Sequence, residues 1–553
     1  MEFSELVKVY EQLEKISSRI EMTQIVADFL GKVHEDEFKI VIPFLQGRIF
    51  PEWSEEEIGI GNKLVIKAIS KISGVSETEI ENKIRETGDT GVAAQFLLSK
   101  KAQMTLFREK LSVEKVYENL NKLAKLSGQG SQEKKLLYIS ELLSFAEPLE
   151  AKYITRIILE ELRLGVGEGI IRDAIAQKFN VSPALVERAF YLITDLGEVA
   201  RIAKIQGDSG LKKIEITPGR PISVMLAQKL NSIGDALEEI ENVAFEIKYD
   251  GARIQIHKEG ERIKLFTRRL EDVTKQFPEI VDAARKNISA NTAVIEGELV
   301  AIKSFTDRHP RPFQELSRRI KRKYDIAEMI ERIPVEINLF DITFLNGKSL
   351  IEKKFSERRK ILEKIVKESE NFLLAKQLIT RDIKKANEFY EEALRLGHEG
   401  VMAKNLDAPY QPGSRVGYMY KIKPIMETLD LVIVGATWGE GRRAHWLGSF
   451  LLAVLDKATG KFLTIGRMAT GFTDEQLQEI TELLKDDIYE QIGKEVKLKP
   501  KKVVEVAYEE IQRSPTYESG YALRFPRLVR IRDDKRVEDA DTIDRVEEIL
   551  SKG

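Results

Sequence analysis

The stretch AFEIKYDGARIQIH (residues 244–257) has the pattern of two β-strands joined by a tight turn. Strict alternation places Phe245 and Ile247 on one face of the first strand, and Glu246 and Lys248 on the other. A charged lysine inside an apolar strand is costly unless it is paired or neutral. Two explanations are open at this point: a lysine at a strand end that reaches water, or a lysine that lines a site.

Two further apolar segments show the same alternation with charged residues on one face. AVIEGELVAI places Glu296 and Glu298 together, and YMYKIKP places Lys421 and Lys423 together. A solvated sheet face would also carry such pairs, but these segments are otherwise too apolar to be edge strands. We therefore predict that the three segments line one pocket.

Lysines and carboxylates in one pocket suit a particular chemistry. Lysine is a nucleophile only when neutral, a state that burial and nearby cations favour. Carboxylates hold Mg²⁺, and basic groups neutralise phosphates. Together these properties describe nucleotidyl transfer.

Composition excludes several other chemistries. The 553-residue chain has no cysteine, so disulfides, Cys-ligated zinc, Fe–S clusters and thiol catalysis are excluded. Five scattered histidines disfavour a His-rich metal site, which leaves oxygen ligands and a hard ion. No apolar run is long enough to span a membrane, and the N-terminal MEFSELVKVYEQLEK resembles no signal peptide, so we expect a cytoplasmic protein. Abundant Glu, Lys and Arg suit a thermophile.

The chain is too long for one core, and its pattern of predicted secondary structure changes twice. Residues 1 to about 210 show helical spacing, and IQGDSG (205–210) predicts a turn after them. Strands and helices then alternate to about residue 420. Predicted strands are 243–249, 252–257, 262–267, 293–302, 335–344 and 400–404, with helices at 271–286, 312–332, 354–367 and 384–396. The last 130 or so residues combine short strands with one helix, which suits a small barrel of the OB type.

An ordered series of motifs resembles the covalent nucleotidyltransferases, which include DNA ligases, RNA ligases and capping enzymes. KYDGAR (248–253) matches the K-x-D-G-x-R signature of that superfamily. The similar segments that follow in order are FTRRLEDVT, IEGELVA, LFDITFLNG, EGVMAK, YKIK and RFPRLVRIRDDK. The closest likeness is to ATP-dependent DNA ligases of the archaeal and eukaryotic replicative type, and it covers essentially the whole chain.

The resemblance implies a role for each matching residue. Lys248 would be the nucleophile that takes AMP, Glu246 would contact adenine, and Phe340 would stack on it, although Phe340 as plain core stays open. The remaining nucleotide-binding positions would be Arg253, Arg268, Glu298, Arg415, Lys421 and Lys423. Glu298 and Glu399 would hold Mg²⁺ or Mn²⁺, unless Glu399 merely ends the preceding helix. Arg530, Arg532, Asp533 and Lys535 would orient the pyrophosphate leaving group.

The resemblance also implies an all-α DNA-binding domain (1–212), an α+β adenylation domain (213–421) and a C-terminal OB-fold β-barrel (422–553). We expect a monomer that acts on nicked duplex DNA in replication, repair and recombination, with ATP as its nucleotide. QMTLF (103–107) is similar to a sliding-clamp-binding motif, with Gln103, Leu106 and Phe107 as anchors. The alternative is that the segment starts a helix and buries Leu106 and Phe107 in the protein core. The glycines of RLGVGEGI (163–170) form either a corner whose amides approach a DNA phosphate or a simple tight turn.

Other functions fit less well. An NAD-dependent ligase would carry a Cys-ligated zinc element, which a chain without cysteine cannot form. A capping enzyme would not need the helical region, and an RNA ligase would typically lack the R-x-D-K element. A non-catalytic nucleic-acid-binding scaffold would not need the lysine and both carboxylates.

Overall fold

A computed structural model describes all residues except 52, 55, 57, 100–109, 127–129, 163, 323–324, 425–427, 440–442, 444, 471, 553 and the side chains of 551 and 552. The chain divides into two compact units, Met1–Lys423 and Pro424–Gly553. No helix among the described residues is long and apolar enough to cross a membrane.

The first part of the larger unit is helical, as predicted. Its helices are α1 (Phe3–Glu14), α2 (Arg19–Leu30), α3 (Phe38–Leu45), α4 (Asn62–Ser73), α5 (Glu77–Thr87), α6 (Thr90–Ser99), α7 (Val113–Lys125), α8 (Ser131–Phe145), α9 (Pro148–Ile158), α10 (Glu168–Phe179), α11 (Pro183–Ile193) and α12 (Leu196–Lys212). Side-chain caps start several of them: the Ser112 hydroxyl, for example, accepts from the Lys115 N–H at 3.0 Å. The turn predicted at 205–210 is present as a kink at Gly207, whose φ of 58° and ψ of −151° are not helical. The segment Leu196–Lys212 therefore consists of two helical parts that meet at this residue, and the helical region continues to Lys212.

The second part of the larger unit alternates strands and helices. Its elements are β1 (Leu226–Leu230), α13 (Ile233–Glu239), β2 (Val243–Ile247), β3 (Ala252–Glu259), β4 (Arg262–Thr267), α14 (Pro278–Asn287), β5 (Thr292–Ala301), α15 (Phe313–Ile320), α16 (Ile326–Arg332), β6 (Val335–Leu345), β7 (Lys348–Ser349), α17 (Phe355–Ile365), β8 (Phe372–Leu374), β9 (Gln377–Ile379), α18 (Ile383–Arg395), β10 (Val401–Asn405) and β11 (Arg415–Ile422). All six predicted strands are present. The helix predicted at 312–332 is two helices, and the one predicted at 271–286 begins only at Pro278.

These strands form two sheets. The first sheet has the order β1-β11-β10-β2-β9, and the second has the order β4-β3-β5-β6-β7, with β8 beside β6. Consecutive strands β2 and β3 lie in different sheets, so the KYDG turn crosses from one sheet to the other. A Cβ on Gly251 would lie 2.3 Å from the Leu299 carbonyl oxygen on β5, so only glycine permits this close crossing.

The smaller unit is mostly strand. It contains β12 (Leu429–Trp438), β13 (Leu447–Asp456), β14 (Lys461–Met468), α19 (Asp474–Leu484), β15 (Ile488–Ile492), β16 (Glu495–Leu498), β17 (Val503–Ala507), β18 (Glu510–Arg513), β19 (Tyr521–Arg524), β20 (Arg527–Ile531) and α20 (Ile543–Lys552). Its main sheet has the order β14-β13-β12-β16-β15, with β17 joining β12 to β20. Within the described part of the chain these pairings do not close a ring, so the predicted barrel is an open one. One helix was predicted here, but α20 is a second.

Candidate active site

Lys248 follows the last residue of β2, in the interior of the first sheet. The whole of β2 is buried, with Phe245 and Ile247 packed in an apolar cluster, as alternation predicts. The Lys248 N–H donates to the Gly400 carbonyl at 2.9 Å, and the Glu399 N–H donates to the Lys248 carbonyl at 3.0 Å. Gly400 has φ +130°, and a Cβ there would lie 2.2 Å from the Ile422 carbonyl oxygen. The backbone therefore holds Lys248 and Glu399 side by side.

The Glu399 carboxylate binds two lysines. One of its oxygens, Oε2, forms an ion pair with Lys248 and lies 2.8 Å from Nζ of Lys423. Burial raises the pKa of Glu399, but the two ammonium groups outweigh this effect, and its pKa lies below the ordinary value. The preceding helix α18 ends at Arg395, so Glu399 is not a helix terminus. About a fifth of the Lys248 side chain is exposed, so a ligand can reach it.

Arg253 on β3 is held by contacts within the protein. Its guanidinium donates to Glu296 Oε2 at 2.7 Å and to the Met225 carbonyl at 2.8 Å. Glu296 is fully buried and also accepts from the Tyr410 hydroxyl at 2.9 Å. Burial lowers the pKa of Arg253, but Glu296 outweighs it and the pKa lies above the ordinary value. Glu296 thus anchors Arg253, while Glu298 is the carboxylate that remains partly accessible.

Glu298 on β5 is the most perturbed acid of this site. Burial raises its pKa to about 7, against the lowering effect of the Lys248 and Arg253 charges. Glu399 and Asp250 raise it further, which shows that three carboxylates lie within electrostatic reach of one another. Such a cluster favours a bound cation, because a cation would relieve the repulsion.

Two arginines complete the polar end of the site. Burial and the charges of Arg253 and Arg415 lower the pKa of Arg268, while Glu298 raises it. Neither Arg268 nor Arg415 forms an ion pair with any carboxylate among the described residues, and both are exposed. Lys421 lies on β11, in register with Met402 of β10, two residues before Lys423.

The opposite end of the site is aromatic. Phe340 on β6 is half-buried, packs partly in the apolar cluster, and borders a small pocket that is partly open to solvent. The ammonium of Lys404 lies 4.4 Å from the centre of its ring. Glu246 is 2% exposed, and its Oε2 lies 2.5 Å from Nζ of Lys404. Phe340 is therefore core on one side and pocket wall on the other.

Sequence reasoning missed Lys404, Gln377 and Tyr410. The signal for Lys404 was present, because alternation along EGVMAK puts Lys404 on the face opposite the buried Val401 and Ala403. Gln377 lies on a three-residue strand and Tyr410 in a loop, where no periodic pattern operates.

The remaining predicted residues lie elsewhere. Arg530, Arg532, Asp533 and Lys535 belong to the smaller unit, at and after the end of β20. There Asp430 accepts from Arg532 at 3.0 Å and from Lys535 at 2.6 Å, and Arg530 donates to Glu505 at 2.7 Å. Gln103, Leu106 and Phe107 lie outside the described residues.

A lysine paired with a carboxylate, further acidic groups and clustered arginines lie between two β-sheets, and a small β-domain follows in the chain. Together they define a nucleotidyltransferase. Family models match the chain in three places: DNA ligase N terminus at residues 2–176, ATP dependent DNA ligase domain at 224–423, and ATP dependent DNA ligase C terminal region at 443–535.

Similar proteins span the whole chain. The chain is 51% identical to the DNA ligase of Thermococcus fumicolans over 550 residues, which cover 99% of this chain and 98% of that protein. It is 49% identical to the DNA ligase of Archaeoglobus fulgidus, again over 99% of this chain and 98% of the relative. A solved structure named "Pmar-Lig_PreS3" shares the fold, with a TM-score of 0.58 at 19% identity, covering 95% of this chain and 99% of that chain. The chain belongs to the ATP-dependent DNA ligase family.

Proposed function

We propose that this ATP-dependent ligase seals nicks in duplex DNA through an AMP group carried on Lys248. The observation that carries the proposal is the position of Lys248, partly accessible beside the Glu399 carboxylate. In the first step the neutral lysine amine attacks the α-phosphorus of ATP, a P–N bond forms, and the bond to the β-phosphate breaks to release pyrophosphate. The lysine proton must leave beforehand, and Glu399 is the carboxylate that contacts the amine and fixes its position.

The AMP group then moves to DNA. An oxygen of the 5′-phosphate at the nick attacks the AMP phosphorus, and the P–N bond breaks to return the lysine. The 3′-hydroxyl finally attacks the 5′-phosphorus, loses its proton and expels AMP. Sealing of the strand and regeneration of Lys248 follow from these two displacements.

Different pocket residues contact the adenine, the ribose and the phosphates of the nucleotide. Phe340 stacks on adenine, while Glu246 accepts a hydrogen bond from its amino group. Arg253, which Glu296 holds in place, would contact the ribose. The exposed Arg268 and Arg415 bind phosphate oxygens, and so do Lys421 and Lys423.

The acidic residues fit a hard divalent ion. Mg²⁺ is commonly held by one or two carboxylates together with substrate phosphates, and Glu298 and Glu399 supply two carboxylates. Among the described residues no group of three or more acidic or histidine side chains is placed to hold a metal ion. The proposed site therefore depends on these two carboxylates and on the phosphates of the substrate. We assign Mg²⁺, or Mn²⁺, to these residues. When bound, the ion neutralises phosphate charge and polarises the phosphorus.

The smaller unit supplies the leaving-group contacts. We assign Arg530, Arg532, Asp533 and Lys535 to the orientation of the pyrophosphate leaving group. The Asp533 carboxylate forms an ion pair with Lys502 at 3.2 Å.

Several broader expectations accompany this proposal. We divide the chain into a DNA-binding domain (1–212), an adenylation domain (213–421) and an OB-fold domain (422–553). The enzyme acts as a cytoplasmic monomer on DNA, with a sliding clamp bound through residues 103–107. Gly165, with φ +73°, and Gly167, which caps α10, turn the chain between α9 and α10, where backbone amides would meet a DNA phosphate.

The test is self-labelling. The chain is incubated with ATP, GTP or NAD labelled at the phosphate attached to adenosine or guanosine, and is then separated under denaturing conditions. We expect label from ATP, none after Lys248→Ala, and full label after the control Lys354→Ala, whose exposed side chain pairs with Asp407 outside the site. Label only from GTP or NAD, or label that survives Lys248→Ala, contradicts the proposal.

A further inference from the structure

Glu246 is a buried carboxylate with an unusually full set of partners. Besides the Lys404 ion pair at 2.5 Å, its Oε1 accepts from Nε2 of Gln377 at 2.9 Å and lies 3.9 Å from the Arg359 guanidinium. Burying a carboxylate without partners is strongly unfavourable, so these groups keep the charge tolerable. They also fix the direction in which the carboxylate points.

The Lys404 ammonium contacts both ends of the proposed base site. It pairs with Glu246 and lies 4.4 Å from the ring centre of Phe340 and 4.9 Å from that of Phe355. Lys404 is only 6% exposed, so it is not a solvent-facing cation free to follow a phosphate. One buried side chain therefore links the residue that would stack on the base to the residue that would read its edge.

We propose that Lys404, together with Gln377, is a positioning residue that makes the pocket select adenine over guanine. This inference rests on the proposed role of Glu246. A carboxylate only accepts hydrogen bonds, so it pairs with the 6-amino group of adenine and repels the 6-oxo group of guanine. It has about four lone-pair directions, of which Lys404 and Gln377 occupy one on each oxygen. The orientation of the carboxylate depends on both partners.

Selectivity is measured from kcat/KM for self-adenylation. The value with ATP is divided by the value with purine riboside triphosphate, which lacks the amino group, and separately by the value with GTP. The variants are Lys404→Met, Lys404→Arg and Gln377→Leu, with Lys354→Met as the control for loss of an exposed lysine. In the wild type we expect a preference for ATP over purine riboside triphosphate on the order of tenfold or more, the size of a hydrogen bond to a charged group. Lys404→Met should bring this ratio close to one, Gln377→Leu should lower it partly, and Lys404→Arg should preserve most of it.

A double-mutant cycle separates positioning from general damage. In a Glu246→Gln background, Lys404→Met should change the ratio no further, because the carboxylate it orients is gone. The inference is overturned if Lys404→Met and Gln377→Leu keep the wild-type ratio. It is equally overturned if Lys404→Met lowers the KM for ATP at an unchanged ratio, since the lysine would then merely compete for the base site. If Lys404→Met does not fold, Gln377→Leu and Lys404→Arg decide alone. Failure of the wild type to take label from ATP would count against the proposed function instead.

Discussion

Glu298 should release a proton when a metal–nucleotide complex binds. Its pKa of about 7 is set mainly by burial, with repulsion from Glu399 and Asp250 added to it. At pH 7 about half of the molecules therefore carry a proton on Glu298, about nine tenths at pH 6 and about one tenth at pH 8. A metal ion binds only the ionised carboxylate, so binding must displace that proton. The expected release is about 0.5 proton at pH 7, rising to about 0.9 at pH 6.

Calorimetry can count these protons. The non-cleavable analogue α,β-methylene-ATP, already complexed with Mg²⁺, is titrated into the protein in two buffers of equal pH but different ionisation enthalpy. The difference in binding heat gives the number of protons released, and Glu298→Gln serves as the control that has no proton to lose. The reasoning is refuted if Glu298→Gln releases as many protons as the wild type, or if the wild-type number does not change between pH 6 and pH 8.

Three further predictions concern other residues. His257 is buried, accepts from the Gly219 N–H at 3.2 Å, and has a pKa lowered to about 3 by burial and by Lys264. In the unfolded chain His257 takes up a proton with a pKa of about 6.5, whereas in the folded chain it does so only near pH 3. The free energy of unfolding should therefore fall by ~1.4 kcal/mol per pH unit as the pH drops from about 6 to 3. His257→Gln should flatten that slope in urea unfolding curves, and an unchanged slope would contradict the assignment. Glu399→Gln should slow single-turnover self-adenylation by about tenfold or more, because Lys248 and Lys423 lose the carboxylate that holds them both. An unchanged rate would argue against this role of Glu399. Arg532→Ala should impair self-adenylation more than sealing by pre-adenylated enzyme, and equal losses in the two assays would argue against a leaving-group role.

The parts of the site that could be predicted from sequence are those that depend on neighbours in the chain. Alternation around Lys248 correctly separated the packed face of β2 from the polar face, because a strand repeats every two residues whatever surrounds it. The same rule grouped Glu296 with Glu298 but did not distinguish them. Glu296 is buried and bound by Arg253 and Tyr410, whereas Glu298 is partly accessible. This contrast depends on contacts distant in sequence, since the Tyr410 hydroxyl and Glu296 are 114 residues apart.

The misses in the fold have related causes. The strands β8 and β9 have three residues each, too few for alternation to show, and they exist because they pair with β6 and β2. The turn predicted in IQGDSG is present at Gly207, but its extent was not predictable, because helical residues resume directly after this one glycine.

The balance of charge in the larger unit explains why the site would need a metal ion as well as lysines. The basic residues of the pocket that face carboxylates are Lys248, Arg253, Lys404 and Lys423. The carboxylates that face them are Glu246, Glu296, Glu298 and Glu399, and Asp250 lies within electrostatic reach of Glu298. These charges largely cancel, so they fix geometry but offer little net attraction to a triphosphate. Arg268 and Arg415, which have no ion pair among the described residues, add positive charge at the polar end of the site. A divalent cation bound with the nucleotide would add to the positive charge of these arginines, and it would displace the proton that Glu298 carries in about half of the molecules at pH 7.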